Sequence, residues 1–205
     1  MKPHLRACVF LVALAAAWPC GASTFVALSE KQLVAASDAV VRGRVVSVES
    51  FWNDDHTLII TEAVFEVESA VLGSPSRFVT LRTAGGTVGD NRVEAIGFPV
   101  FRQGERALLF LERDDKKPMG GGKVLRSSES YRIAGYQRGQ YRIFRDRNGV
   151  EIAVPAADPS VRVLTKSGRL AEPPAVQRLQ SFENEIRRIG NELRREAEAS
   201  GRNRR

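Results

Sequence analysis

Residues 39–72 read AVVRGRVVSVESFWNDDHTLIITEAVFEVESAVL and contain two long runs rich in valine, isoleucine, threonine and phenylalanine. Residues of these types favour strands, because their side chains pack well on a pleated surface. A connecting segment at 51–56, which includes Trp52 and His56, separates the two runs. The pattern predicts two long antiparallel strands joined by a short loop.

The first run changes the face on which its apolar residues fall. In a strand of period two, Val41 and Val45 lie on one side, whereas Val46 and Val48 lie on the other. One extra residue moves every later side chain across the sheet, so the switch predicts a bulge or a sharp bend. Gly43 fits such a bend. A bent first strand that serves two sheets is what a small closed barrel requires.

The second run alternates cleanly. Its predicted inward residues are Ile59, Thr61, Ala63, Phe65, Val67 and Val71, and its predicted outward residues are Glu62, Glu66 and Glu68. Further strands are predicted at 78–82, 107–111, 131–134, 141–144 and 150–154. Residues 107–111 are apolar on both faces, so we expect another element to cover their outer side. The predicted fold class is mainly β: a small OB-like, partly open antiparallel barrel within residues 23–154.

Helices are predicted at both ends of this barrel. Ser29 and Gln32 have the spacing of a capping box, which predicts a short N-terminal helix. An apolar stripe recurs at spacings of three and four and predicts an amphipathic helix at 175–199, which we expect to pack on residues 107–111. Residues 155–174 contain four prolines and are interpreted as a linker. Residues 200–205 are expected to be a disordered basic tail.

The first 22 residues have the form of a secretory signal peptide, in which Lys2 and Arg6 precede an apolar run that ends before Pro19. The run is shorter than the roughly 20 residues that cross a bilayer, so we expect a secreted or periplasmic protein with no transmembrane segment after cleavage. Both cysteines leave with the signal, so the exported chain must rely on a hydrophobic core rather than on disulfides. The 29 basic and 24 acidic residues that remain give a mild charge of +5, and no nucleic-acid partner is expected.

Several short motifs together resemble a group of secreted, largely uncharacterised bacterial proteins. They are DAVVRGRV at 38–45, VLG at 71–73, the glycine pair at 85–86, FRQGE at 101–105 before LLFL at 108–111, and QRGQY at 137–141. More distantly, the layout is similar to the OB-type barrel of netrin-like modules and of metalloproteinase inhibitors. Those inhibitors act through an N-terminal cysteine, which the mature chain lacks. The resemblance therefore implies the fold and export, and no activity.

No catalytic, metal or cofactor site is expected. His56 with Asp54 and Asp55 supplies too few converging ligands for zinc, which needs three or four, and adjacent residues on an extended segment point apart. The glycine-rich segment 85–89 lacks the Lys-Ser/Thr ending of a phosphate loop and is interpreted as a turn with positive φ values. A Ser-His-Asp triad would have to use His56. Asp114 and Asp115, beside two lysines, are interpreted as part of a solvated loop.

Residues 97–101, with the sequence GFPVF, are the main candidate for binding. Phe98, Pro99 and Phe101 could form a contact surface for a partner, and Trp52 in the loop after the first strand has the same potential. The alternative, which we favour, is that the two phenylalanines fold inward and plug the end of the barrel.

The function predicted from these features is an exported, non-catalytic binding or scaffold module. Its partner would be a protein or another component of the cell envelope. A protease inhibitor that acts through an exposed loop or terminus is an alternative, suggested by the fold analogy. A hydrolase that uses His56 is a second alternative.

Overall fold

A computed structural model describes residues 24–114, 129–156, 158, 161–165 and 167–202. The predicted signal peptide at 1–22 lies outside the described residues. So do Asp115 and the lysines that follow it.

The described residues form twelve strands and two α-helices. The strands are β1 (Thr24–Val26), β2 (Ala39–Trp52), β3 (Ile59–Leu72), β4 (Phe78–Ala84), β5 (Gly86–Val88), β6 (Asn91–Val93), β7 (Arg106–Arg113), β8 (Ser130–Ile133), β9 (Gln140–Arg145), β10 (Glu151–Pro155), β11 (Arg162–Leu164) and β12 (Gln177–Arg178). The helices are α1 (Glu30–Ala35) and α2 (Leu179–Arg202), and a 3-10 turn spans Tyr136–Gly139.

Five strands close into a barrel in the order β2, β3, β4, β8 and β7, with β7 pairing back onto β2. The neighbours are antiparallel except for β4 and β8, which run parallel. Strand β7 also pairs with β9, so a three-stranded extension of β9, β10 and β12 continues the sheet away from the barrel. The mainly β, OB-like barrel predicted from the sequence is confirmed.

The bend in β2 lies where the sequence predicts it. Val45 pairs with Phe65 and Ser47 pairs with Val64, so Val46 is the additional residue of a bulge. A second register shift falls between Arg42 and Gly43. A Cβ atom at Gly43 would overlap the carbonyl oxygen of Glu66, so glycine lets β3 approach β2 closely at the bend.

Two hydrophobic cores lie on opposite sides of β7, because its side chains alternate between them. The barrel interior contains Val41, Val45, Ala63, Phe65, Val79, Leu81, Phe101, Leu109 and Tyr131, among others. The second core contains Val40, Leu108, Phe110, Tyr141 and Ile143, against which α2 packs Leu179, Phe182, Ile186 and Ile189. The expected position of the C-terminal helix, on the outer side of residues 107–111, is therefore correct.

The capping box of α1 is also confirmed. The Gln32 amide donates to Ser29 Oγ, and the Ser29 amide donates back to Gln32 Oε1 at 2.9 Å. Lys31 of this helix pairs with Glu192 and Glu196 of α2, at 3.0 and 2.8 Å. The two helices therefore cover the second core together.

Several boundaries and faces differ from the predictions. Val71 was expected to point into the barrel but joins the second core, because register shifts in the β2–β3 pair rotate the end of β3. The segment interpreted as a linker contains β11, which pairs in parallel with β1. The C-terminal helix begins at Leu179 rather than at 175, since residues 177–178 pair with β10, and it continues to Arg202 through part of the expected tail.

In the described ranges, no helix combines the length and apolar character needed to cross a membrane.

Candidate functional site

Apolar side chains project from one end of the barrel and form what we call the apolar ridge: Ile96, Phe98, Val100 and Tyr136. Val100 is 58% exposed, Ile96 53% and Tyr136 46%, and Phe98 is half-buried. Exposure of one large apolar residue is ordinary, but several on neighbouring turns are typical of an interaction surface.

The backbone beneath the ridge is held by three hydrogen bonds. The amide of Gln137 donates to the Gly97 carbonyl at 3.2 Å, and Thr83 Oγ1 donates to the Pro99 carbonyl at 3.0 Å. Gln140 Nε2 donates to the Val100 carbonyl at 3.1 Å. Because three of four successive carbonyls are fixed by other elements, the ridge is pre-organised.

Tyr136 joins the ridge through its ring. It packs edge-to-face on Phe98, with ring centroids 5.0 Å apart and an interplanar angle of 80°. Its backbone has φ 57°, a left-handed conformation that is rare for bulky residues. The preceding Gly135 also has a positive φ, of 67°.

The four residues predicted as a contact surface do not lie together, and they differ in how deeply they are buried. Phe101 is 6% exposed inside the barrel, as the alternative interpretation expects of both phenylalanines, whereas Phe98 is half-buried. Pro99 is also buried. Phe98 belongs to the ridge. Trp52 is half-buried and stacks on His56, with ring centroids 6.3 Å apart, and it lines none of the clefts at the ridge. Whether Phe98 and Trp52 contact a partner stays a prediction.

A cleft of about 470 Å³, which we call the hydroxyl cleft, opens on one side of residues 98–101. Ser50, Thr61 and Thr83 line it from adjacent strands, and residues 84–87 and 92–95 form its other walls. This volume falls within the range of about 300–1,000 Å³ typical of small-molecule sites.

A second cleft of about 300 Å³ lies on the other side of Phe98 and Pro99 and is also lined by Tyr136. Its charged lining residues are Arg82, Glu112 and Arg132. Arg132 forms a two-bond pair with Glu112, at 2.8 and 3.2 Å. The charges of Arg132 and Glu112 therefore largely neutralise each other.

A buried ion cluster stands behind this second cleft. Arg82 Nε donates to Glu62 Oε1 at 2.7 Å, and Arg82 Nη1 lies 3.9 Å from Asp114 Oδ2. All three side chains are buried. The interpretation of Asp114 as part of a solvated loop is therefore wrong, because the residue follows β7 directly and meets a guanidinium from β4. Glu62 lies on the outward face of β3 as predicted, yet it is buried as well.

The geometry around His56 offers little chemistry. The residue is exposed in the loop after β2, with φ 54°, and its ring stacks on Trp52. Within the part of the chain that the structure describes, no three His, Cys, Asp or Glu side chains are grouped so that they could hold a metal ion.

Sequence reasoning missed Ile96 and Tyr136 as members of this surface, and it included Val100 in the candidate segment 97–101 without naming it as a contact residue. Ile96 and Val100 stand in an irregular glycine-rich segment with no periodicity, and Tyr136 comes from a turn about 40 residues later. The aromatic residue beside Gly135, between the predicted strands at 131–134 and 141–144, was the available signal.

Comparison with known proteins does not identify a function for this site. No family model, no curated protein and no solved structure matches the chain.

Proposed function

We propose that the protein is an exported, non-catalytic binding module, related to the secreted bacterial proteins that its motifs resemble, and that the apolar ridge is its contact surface. The observation that supports the proposal most strongly is that exposed apolar side chains stand on a backbone fixed by hydrogen bonds. The ridge presents side chains that would gain from burial, on a backbone that is already held by Thr83, Gln137 and Gln140.

A fixed backbone lowers the conformational entropy that is lost when the ridge binds a partner. Burying an exposed valine or isoleucine side chain contributes roughly 1.5–3 kcal/mol, and a flexible loop would lose much of this in conformational entropy. A ridge whose carbonyls are already hydrogen-bonded avoids most of that loss. Aromatic residues near the centre of such a surface commonly contribute most of the binding energy, and the Phe98–Tyr136 pair has this position.

The charges around the ridge support a partner with an apolar, uncharged surface. Arg92 pairs with Glu94 at 3.5 Å, and Arg132 pairs with Glu112 at 2.8 Å. Arg102 is exposed beside the ridge, but attraction to an anionic polymer or an anionic lipid would need several such cations. Binding through the ridge should therefore depend weakly on salt.

A matched pair of valines tests the proposal. Val100 and Val176 are 58% and 56% exposed, but Val176 lies beside α2, away from the ridge. We expect Val100→Ser, alone or combined with Ile96→Ser, to weaken capture of envelope proteins by at least about tenfold, or 1.4 kcal/mol. Val176→Ser should capture the same proteins as the unmodified chain. Equal capture by all variants would show that the apolar ridge is not the contact surface.

A protease inhibitor that uses the same residues is the second candidate. Pre-organised loops are typical of protease inhibitors, whose interface backbone moves little on binding. Residues 97–100 are held in this way. Inhibition of a metalloproteinase or serine protease by the unmodified chain, lost in Val100→Ser, would favour this candidate over a scaffold.

A further inference from the structure

The inner wall of the hydroxyl cleft carries three hydroxyl groups on three neighbouring strands. Ser50 pairs with Thr61 across β2 and β3, and Thr61 pairs with Thr83 across β3 and β4. Thr61 and Thr83 are buried, and Ser50 is half-buried. The three side chains therefore form a polar row in an otherwise apolar barrel interior.

Each of these three hydroxyls already donates its proton to an acceptor within the protein. Thr61 Oγ1 donates to the Gly85 carbonyl at 2.6 Å, and Thr83 Oγ1 donates to the Pro99 carbonyl at 3.0 Å. Ser50 Oγ lies 2.8 Å from Thr61 Oγ1 and must be the donor of that bond, because the Thr61 proton is used. A hydroxyl has one proton and two lone pairs, so the row can accept further hydrogen bonds but cannot donate any.

Gly86 approaches this row closely. Its φ is 139°, and a Cβ atom at this position would overlap both Ser50 Oγ and Thr61 Oγ1. Glycine is therefore needed here for β5 to pack against the two hydroxyls. The next residue, Thr87, lines the same cleft and is exposed.

The charges of the cleft disfavour an ionic ligand. Among the described residues that line it, the one carboxylate is Glu94, which pairs with Arg92 at 3.5 Å. A cation would find no unpaired counter-charge, and an anion at the row of three hydroxyls would face lone pairs rather than donors. Arg102 is exposed at the rim, where its charge is screened by water.

Apolar side chains also line the cleft, namely those of Val93, Phe98 and Val100. A ligand that fits this lining is neutral, carries several O–H donors and has an apolar face. A sugar ring has these properties, since its hydroxyls project from the ring edge and its C–H groups form a face. We propose that the hydroxyl cleft binds a neutral saccharide unit, with its O–H groups donating to Ser50, Thr61 and Thr83 and its C–H face on Phe98.

The test is an NMR titration of the 15N-labelled chain. The probes are glucose, galactose, N-acetylglucosamine and cellobiose, each to about 50 mM, which covers affinities in the millimolar range. We expect at least one of the four to give saturable shifts of the amides of Gly85, Gly86 and Val93. Ser50→Ala should weaken that binding by three- to tenfold, about one hydrogen bond. Ser47→Ala, on the exposed face of the same strand, should not.

Two charged sugars separate the proposed ligand class from its alternatives. Glucosamine and glucuronate resemble glucose in size and carry a positive and a negative charge, and both should bind more weakly than the best neutral sugar. Tighter binding of either one would overturn the neutral-ligand assignment. Absence of saturable shifts with all four neutral sugars would overturn the site itself. Phe98 and Val100 belong to both the ridge and the cleft, whereas Ile96 and Tyr136 do not line the cleft. Because both results concern sugar binding alone, either one leaves the proposed protein-contact function standing.

Discussion

At the scale of single residues, Tyr136 shows most clearly where this chain departs from its locally favoured conformation. A tyrosine with φ 57° costs roughly 1–2 kcal/mol relative to a glycine in the same conformation. Its ring returns part of this through the edge-to-face contact with Phe98, typically about 0.5–1.5 kcal/mol. The fold alone gains little from a large side chain here, which is consistent with a role in binding.

Tyr136→Gly separates stability from binding. Relief of the backbone conformation and loss of the ring contact oppose each other, so we expect the free energy of unfolding to change by less than about 1 kcal/mol. Capture of a partner should nevertheless fall by at least tenfold. Urea unfolding followed by circular dichroism measures the first quantity, and a pull-down measures the second. A variant that is strongly destabilised, or that captures normally, would contradict the assignment of Tyr136 to the ridge.

The residues that the sequence identified and those it missed differ in the range of their contacts. The role of Gly43 could be recognised from the sequence because it concerns a bend in the strand that contains it. The burial of Glu62 and Asp114 could not be recognised, because it depends on the pairing that brings Glu62 of β3 and Asp114, which follows β7, to Arg82 of β4. Charged residues are usually exposed, and a linear pattern gives no sign that two of them are paired with one guanidinium.

At the scale of elements, long periodic segments were predicted well. The bulge in β2, the alternation in β3 and the apolar face of α2 all follow from side-chain period. Strands β11 and β12 were missed because they contain three and two residues, too few to show a period. Their pairing with β1 and β10 depends on tertiary contacts rather than on local preference.

Phe182→Ala tests whether α2 is an integral part of the fold. Phe182 is fully buried, and its ring centroid lies 4.8 Å from that of Tyr141 and 6.2 Å from that of Phe110. We expect a loss of about 3–5 kcal/mol in guanidinium unfolding, because the cavity cannot collapse between a helix and a sheet. Phe144→Ala is the matched control, since Phe144 is exposed, and it should change stability by less than 1 kcal/mol. A small effect of Phe182→Ala would mean that the helix is dispensable.

At the scale of the whole molecule, β7 joins the two cores, so the barrel and the helical layer should unfold together. The barrel interior uses Ala107, Leu109 and Leu111, and the second core uses Leu108 and Phe110. A single strand cannot leave one core without exposing the other. This architecture could be predicted because residues 107–111 are apolar on both faces, whereas the apolar ridge required the assembled structure.

The alkaline limit of stability provides a test of this packing. Burial, with a further contribution from the carboxylate of Glu30, raises the pKa of Tyr141 to about 12. The unfolded chain loses this proton near pH 10, so the contribution is complete below pH 10 and disappears as the pH rises to about 12. We expect unfolding free energy to fall by roughly 2–3 kcal/mol over this interval on account of Tyr141, at 1.36 kcal/mol per pKa unit. Tyr141→Phe should reduce the slope, and an unchanged slope would show that this hydroxyl is solvated.

Site-specific photo-crosslinking in intact cells would show whether the apolar ridge is where this protein meets its partner. A photoreactive amino acid is placed at Val100 in one variant and at Val176 in another, two positions of nearly equal exposure. We expect a discrete crosslinked adduct from position 100 and none from position 176. Adducts from position 176 with none from position 100 would contradict this expectation.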